Sequence, residues 1–263
     1  MGVVFTCSFD DGHPSDMKTA DLLQKHGLKG TFFLPVTNWE DGEVMARPQI
    51  LELARHFEIG SHTYGHCYLS GASAAEARYQ ISEGKKHLED VLGKRIAGFC
   101  YPGGKYRQRD IELVKTAGFT YARTTMNLRF DAGDKPFEMP TTIQFYPHHR
   151  SVYFRNFARL GEWAKRQDGL LLALKYPHWM DRLYALFDYA CEHRVAFHLW
   201  GHSKQFEQLN AWRQLDDFLA YVASNVAVQD RLSNEQMAAR YFKAKEAGEV
   251  AVGEKLLAKS LEN

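Results

Sequence analysis

Short runs rich in β-branched and aromatic residues alternate with stretches of helical period, and this alternation limits the folds open to the chain more than any other feature. A strand covered on both faces reads as near-continuous apolar sequence, as Val3 to Phe9 does. Ser15 or Asp16 can cap the helix that follows, with Met17, Ala20 and Leu23 inward and Gly27 ending it. Thr31 to Val36 is the next expected strand. Pro48 suits a helix start that lays Leu51, Ala54 and Phe57 along one face, and Glu58 to Ser61 follows as a short strand. Ser73 and Glu76 form a capping box for a helix carrying Ala77, Ile81, Leu88 and Val91 inward and closing at Gly93. Ile96 to Tyr101 is read as a strand, Arg107 to Ala117 as a helix, and Thr120 to Thr125 as a strand.

Met126 to Arg150 lacks clear periodicity and contains Pro136, Pro140 and Pro147, so it is expected to be a long functional loop. Two helical stretches are expected between Tyr153 and His193, and together these segments form a loop and helical insertion around 126–193. Val195 to Trp200 is a strand, Asn210 caps a helix through Trp212, Leu215, Leu219 and Val222, and Val226 to Val228 is a last short strand. Ser233 with Gln236 opens the closing helices. About seven strands in strict alternation with helices point to an open or closed α/β barrel, within one domain over residues 1–263.

With 33 Lys and Arg against 32 Asp and Glu, the net charge of +1 supplies no long-range field for nucleic acid or an anionic membrane, and neither partner is expected. A hydrophobic content of 45% excludes a disordered chain. Leu170 to Leu174, the longest apolar stretch, is far short of the roughly 20 residues of a membrane span, and no leader-type segment precedes the first strand. Cys7, Cys67, Cys100 and Cys191 form no Cys-x-x-Cys pair, which fits a reducing compartment. These observations give the expectation of a soluble, cytoplasmic protein.

The chemistry-bearing residues cluster at the C-terminal ends of the expected strands, where a βα fold builds its active site. Asp10 and Asp11 end the first strand, with Gly12 permitting a tight turn. His62 and His66 follow the third, four apart, the spacing that puts two imidazoles on one face of a helical turn. Pro102 and Gly103 end the fourth strand, and His202 follows Trp200. Two histidines and one carboxylate make a catalytic metal set with open positions, suited to Zn2+ and also accepting Co2+, Ni2+, Mn2+ or Fe2+. His148 and His149, near Tyr146 and Tyr153, are candidates for one rim of a substrate cleft.

Ser8-Phe9-Asp10-Asp11-Gly12, His62-Thr63-Tyr64-Gly65-His66, Phe99-Cys100-Tyr101-Pro102-Gly103-Gly104 and Leu199-Trp200-Gly201-His202 together resemble the motifs of the polysaccharide deacetylases, the NodB-homology or carbohydrate esterase family 4 enzymes. The resemblance covers most of the chain. It implies a distorted seven-stranded (β/α) barrel, TIM-like, and removal of an N-acetyl or N-formyl group from an amino sugar or saccharide. It also implies roles: Asp10 as general base; Asp11, His62 and His66 as ligands of a divalent metal; Gly103 as a backbone oxyanion donor; and His202 as general acid. Tyr101, Pro102 and Trp200 would line the substrate pocket. Three positions depart from the family pattern. Cys100 stands where many members carry an arginine that orients the base, and Arg123 is the candidate substitute. Gly103 replaces a bulkier residue, which implies a wider groove, and the fourth motif's Asp-Trp pair is absent, leaving His202 without its usual partner. A small-molecule amidase acting on ureides or formamides, and a non-catalytic carbohydrate-binding homologue, are the alternatives on the same fold.

Overall fold

The computed structural model describes residues 2–40 and 42–243. Among the described residues, eight strands form one parallel sheet: β1 (Val4–Asp10), β2 (Thr31–Leu34), β3 (Glu58–Ser61), β4 (Gly98–Cys100), β5 (Tyr121–Arg123), β6 (Ile143–Gln144), β7 (Ala196–Gly201) and β8 (Arg231–Leu232). Seven run in the order β5-β4-β3-β2-β1-β7-β6, a curled α/β half-barrel, and β8 joins β1. β8 pairs with Phe5 and Thr6, while β2 pairs with Ser8 to Asp10, so the two share one flank of β1 and β7 takes the other. The chain from Met139 to Gln144 spans the remaining gap. Met139 bonds Ala122 and Thr124 beside β5, and Thr142 donates to the His198 carbonyl on β7.

Side chains of β1 alternate, as the pleat requires. Phe5, Cys7 and Phe9 join the large apolar cluster beneath the helices. Thr6, Ser8 and Asp10 are also buried, and their polar partners come from across the sheet and from the segment after β8. Ser8 Oγ lies 2.9 Å from His198 Nε2, and Asn234 donates to Thr6 Oγ1 at 2.8 Å. A run expected to be apolar on both faces therefore has one polar face that leads up to Asp10.

Ten helices are described: α1 (Asp16–Lys25), α2 (Arg47–Leu53), α3 (Ala74–Leu92), α4 (Gln108–Thr116), α5 (Arg150–Leu160), α6 (Trp163–Lys175), α7 (Trp179–His193), α8 (Ser203–Gln208), α9 (Trp212–Asn225) and α10 (Asn234–Ala238). None is long and apolar enough to cross a membrane. Several expectations need correction. On α2 the inward residues are Ile50 and Leu53, and Leu51 is 38% exposed. The insertion holds three helices instead of two, because Gly161 at φ 72° and Pro177 interrupt it. Ile143–Gln144, expected to be loop, is a strand. Val226 to Val228 is not a strand: Val228 opens a 3-10 turn and the strand follows at Arg231–Leu232. Asn210 does not cap α9, whose N-cap is Ala211; it turns the chain between α8 and α9 at φ 51°. The last twenty positions of the expected single domain lie outside the described residues.

Candidate active site

Because all the strands are parallel, the sequence-derived candidates emerge at one edge of the sheet. Asp10, 3% exposed at the end of β1, accepts a hydrogen bond from Nη2 of the fully buried Arg123 at the end of β5. Burial opposes the arginine's charge, but Asp10 and Cys100 outweigh it and raise the pKa. The Arg123 guanidinium also lies 5.4 Å from the centre of the Phe33 ring and 5.0 Å from that of Trp200. Cys100 Sγ donates to the other Asp10 oxygen at 3.8 Å, and burial pushes this thiol well above its usual range. Arg123 thus reaches Asp10 from β5, the strand beside the one that carries Cys100.

Asp11, His62 and His66 converge beside that pair, their ligand atoms within 4.8 Å of one another. Asp11 Oδ1 is 3.2 Å from His66 Nε2 and 3.5 Å from His62 Nε2, yet it is buried without an aligned hydrogen bond. Burial disfavours the carboxylate, but contacts with His62 and His66 and the charge of His202 hold it well below the usual carboxylate range. His62 Nδ1 lies 2.9 Å from the Cys100 carbonyl, which can only accept, so the proton sits on Nδ1 and Nε2 presents a lone pair. His66 Nδ1 faces Glu40 Oε2 at 3.2 Å. An orphaned carboxylate oxygen between two oriented imidazoles fits a divalent cation. Asp10, His62 and Cys100 form a second such group, sharing His62.

The two histidines are not on a helical turn, as their spacing suggested. They flank a tight turn in which Thr63 (φ 68°) and His66 (φ 56°), like Asp11 (φ 78°), adopt left-handed backbone, a conformation that costs about 1–3 kcal/mol per residue and persists only when the surroundings impose it. α3 imposes it here. The Gln80 carbonyl accepts the Tyr64 N–H at 2.8 Å, and the Gln80 side chain accepts the Gly65 N–H at 2.8 Å. Gly84 sits so close that a Cβ there would lie 2.7 Å from the Thr63 carbonyl carbon. Gly84→Ala is therefore expected to cost about 1–3 kcal/mol of stability and to weaken metal binding as the turn shifts. Thermal melts and a zinc titration of the variant check both.

His202 presents Nε2 to Asp11 Oδ2 at 3.6 Å, and its Nδ1 lies 3.1 Å from Gln205 Oε1 and 3.3 Å from Gln144 Nε2. Neutral amides thus stand where the sequence left the partner unidentified. Trp200 is buried with its ring 5.4 Å from that of His202. Gly103 adopts φ 58° in the Pro102–Gly104 turn, but the groove there is not simply widened: a Cβ at Gly103 would lie 3.0 Å from the Tyr68 ring. Tyr68 donates to Glu40 at 2.9 Å and carries Lys105 Nζ 3.8 Å from its ring centre.

Other candidates are not brought into the site as substrate contacts. The Tyr101 ring is buried, stacks on Tyr106 at 4.1 Å and donates to the Phe137 carbonyl at 3.2 Å, so it belongs to the core; Pro102 is also buried. His149 is exposed and caps α5 by accepting the Ser151 N–H at 3.3 Å. His148 is half-buried and turns its Nε2 to Gln144 Oε1 at 2.8 Å. Gln144, Gln205 and Tyr68 were missed because none belongs to a motif with metal or acid–base spacing.

Residues 3–122 match a family model described as polysaccharide deacetylase. A chitooligosaccharide deacetylase of Azorhizobium caulinodans is 31% identical over 114 residues, 42% of this chain and 53% of that protein. A chitin deacetylase of Pestalotiopsis sp is 35% identical over 95 residues, 34% of this chain and 30% of that protein. The chain thus spans about half or less of the length of these curated relatives. The solved structure of a candidate polysaccharide deacetylase from Mycobacterium smegmatis shares the fold at TM-score 0.64 and 18% identity, covering 93% of this chain and 92% of that one.

Proposed function

We propose, from the match of residues 3–122 to the polysaccharide deacetylase family model, that the chain is a metal-dependent hydrolase removing an N-acyl group, acetyl or formyl, from an amino sugar or saccharide. The observation that carries the reading is the convergence of a buried Asp10–Arg123 pair, the Asp11–His62–His66 group and His202 on one sheet edge. A divalent cation held by Asp11, His62 and His66, Zn2+ being the best match to the donor set, would polarise the acyl carbonyl and make water more acidic. Asp10 takes a proton from the water that adds to the acyl carbon, and the fixed Arg123 keeps that carboxylate aimed. The Gly103 N–H faces the oxygen on which negative charge develops. His202 Nε2 gives a proton to the nitrogen as the C–N bond breaks, leaving a free amine and a carboxylic acid. Trp200 supplies an apolar wall and Tyr68 an aromatic rim.

The test is elemental analysis of the purified protein beside His62→Ala, followed by measurement of acetate and formate release from N-acylated sugars and from small formamides and ureides. About one metal per chain, lost in the variant, with release from a sugar, is the expected result. Release from the small amides alone would replace this reading with the amidase. Saccharide binding with no release from any compound would make the protein a non-catalytic binder.

A further inference from the structure

We propose that Trp200 is the positioning residue of Arg123, its indole ring face holding the guanidinium where it meets Asp10. The proposal rests on Asp10 being the base of the reading above. It gives Trp200 a second use besides that of an apolar wall, because no aliphatic residue offers a cation a ring face.

Arg123 is fully buried, yet the five N–H hydrogens of its guanidinium meet few acceptors. Nη2 donates to Asp10, Nη1 reaches the Thr124 carbonyl at 3.4 Å, and Nε has no acceptor among the described residues. A buried cation so sparsely bonded needs another source of stabilisation. Two aromatic rings provide it. The guanidinium carbon lies 5.0 Å from the Trp200 ring centre and 5.4 Å from that of Phe33, inside the roughly 6 Å over which a ring face attracts a cation.

The sheet register brings both rings there. Phe33 on β2 is level with Asp10, and Trp200 on β7 is level with Ser8, two residues earlier on the same face of β1. The strands on either side of β1 thus each send a ring to the guanidinium that reaches Asp10 from β5. Of the two rings Trp200 is the nearer, and indole attracts cations more strongly than phenyl. A carbonyl in its place would compete with Asp10 for the Nη2 hydrogen. A ring face attracts the cation as a whole and leaves that hydrogen to the carboxylate.

Trp200→Leu separates the two uses of the residue, because leucine keeps an apolar wall and removes the ring face. It is expected to lower kcat about tenfold, by the same factor for acetyl and formyl substrates, with KM within about twofold. Trp200→Phe restores a ring face and is expected to stay within about threefold of the wild-type kcat. In an Arg123→Met background there is no cation to hold, and Trp200→Leu is expected to change kcat by less than about twofold. In 15N-arginine-labelled protein the Arg123 Nε–H signal, assigned by its loss in Arg123→Met, is expected upfield of the exposed arginines through the ring currents, and to move downfield in Trp200→Leu. A signal that is not upfield in wild type overturns the proposal even if Trp200→Leu does not fold. So does an unchanged kcat in a folded Trp200→Leu, an equal loss with and without Arg123, or a loss confined to KM or to one acyl group, which would leave Trp200 as a pocket wall alone. If Asp10→Asn keeps its turnover, or no compound releases an acyl group, the reading of the site fails instead, while the Nε–H signal still decides whether Trp200 holds Arg123.

Discussion

Asp10→Asn is expected to lower kcat for acyl release by about a thousandfold while leaving bound metal near the wild-type amount. The amide has the shape of the carboxylate but cannot take a proton, and the metal-type donors come from Asp11, His62 and His66. The same change leaves the Arg123 guanidinium buried without its counter-charge, so the melting temperature should also fall. Rates are therefore compared well below the variant's melt. Turnover within tenfold of wild type would remove Asp10 from the role of base and direct attention to Asp11.

Arg123→Met has the largest expected effect on stability, a loss of about 3–5 kcal/mol, because it strands the Asp10 charge at a position that is 3% exposed. Urea unfolding measures it. The double variant Asp10→Asn with Arg123→Met should lose less than the sum of the two single changes, since neither charge is then left alone. Strict additivity would mean that the two side chains do not interact energetically, whatever their separation. Activity should fall in the single Arg123 variant as well, as nothing else of comparable strength among the described contacts aims Asp10: the remaining partner is the Cys100 thiol at 3.8 Å.

Much of the fold and the centre of the site could be read from the chain itself, for a common reason. Motifs at the ends of parallel strands must meet at one edge, so Asp10, Asp11, His62, His66 and His202 could be gathered without coordinates, and Arg123 could be singled out as the residue ending the next strand. What escaped reading depends on contacts distant in sequence. Gln144 lies in a proline-rich stretch whose two-residue strand has no period to detect, and it matters because β7 aligns it with Trp200. The left-handed turn at Thr63 is invisible locally, because α3 supplies the hydrogen bonds that hold it. Tyr101 looked like a pocket residue from its motif position, but the pleat of the chain turns its ring onto Tyr106. Leu51 and Ile50 are both apolar and adjacent, and only packing against the sheet decides which one faces in.

The pairing of β1 with β7 has a consequence during synthesis. Val4 pairs with Ala196 and Phe9 with Gly201, so one flank of the first strand has no partner until almost the whole barrel has left the ribosome. At about 5–20 residues per second that interval is roughly 10–40 s. Throughout that interval the backbone N–H and C=O groups on this flank of β1 lack the strand that pairs with them in the folded chain, and an unpaired strand edge is a template for pairing with another chain. The segment that carries the metal-type ligands is therefore translated long before it can be completed by the strand that delivers His202.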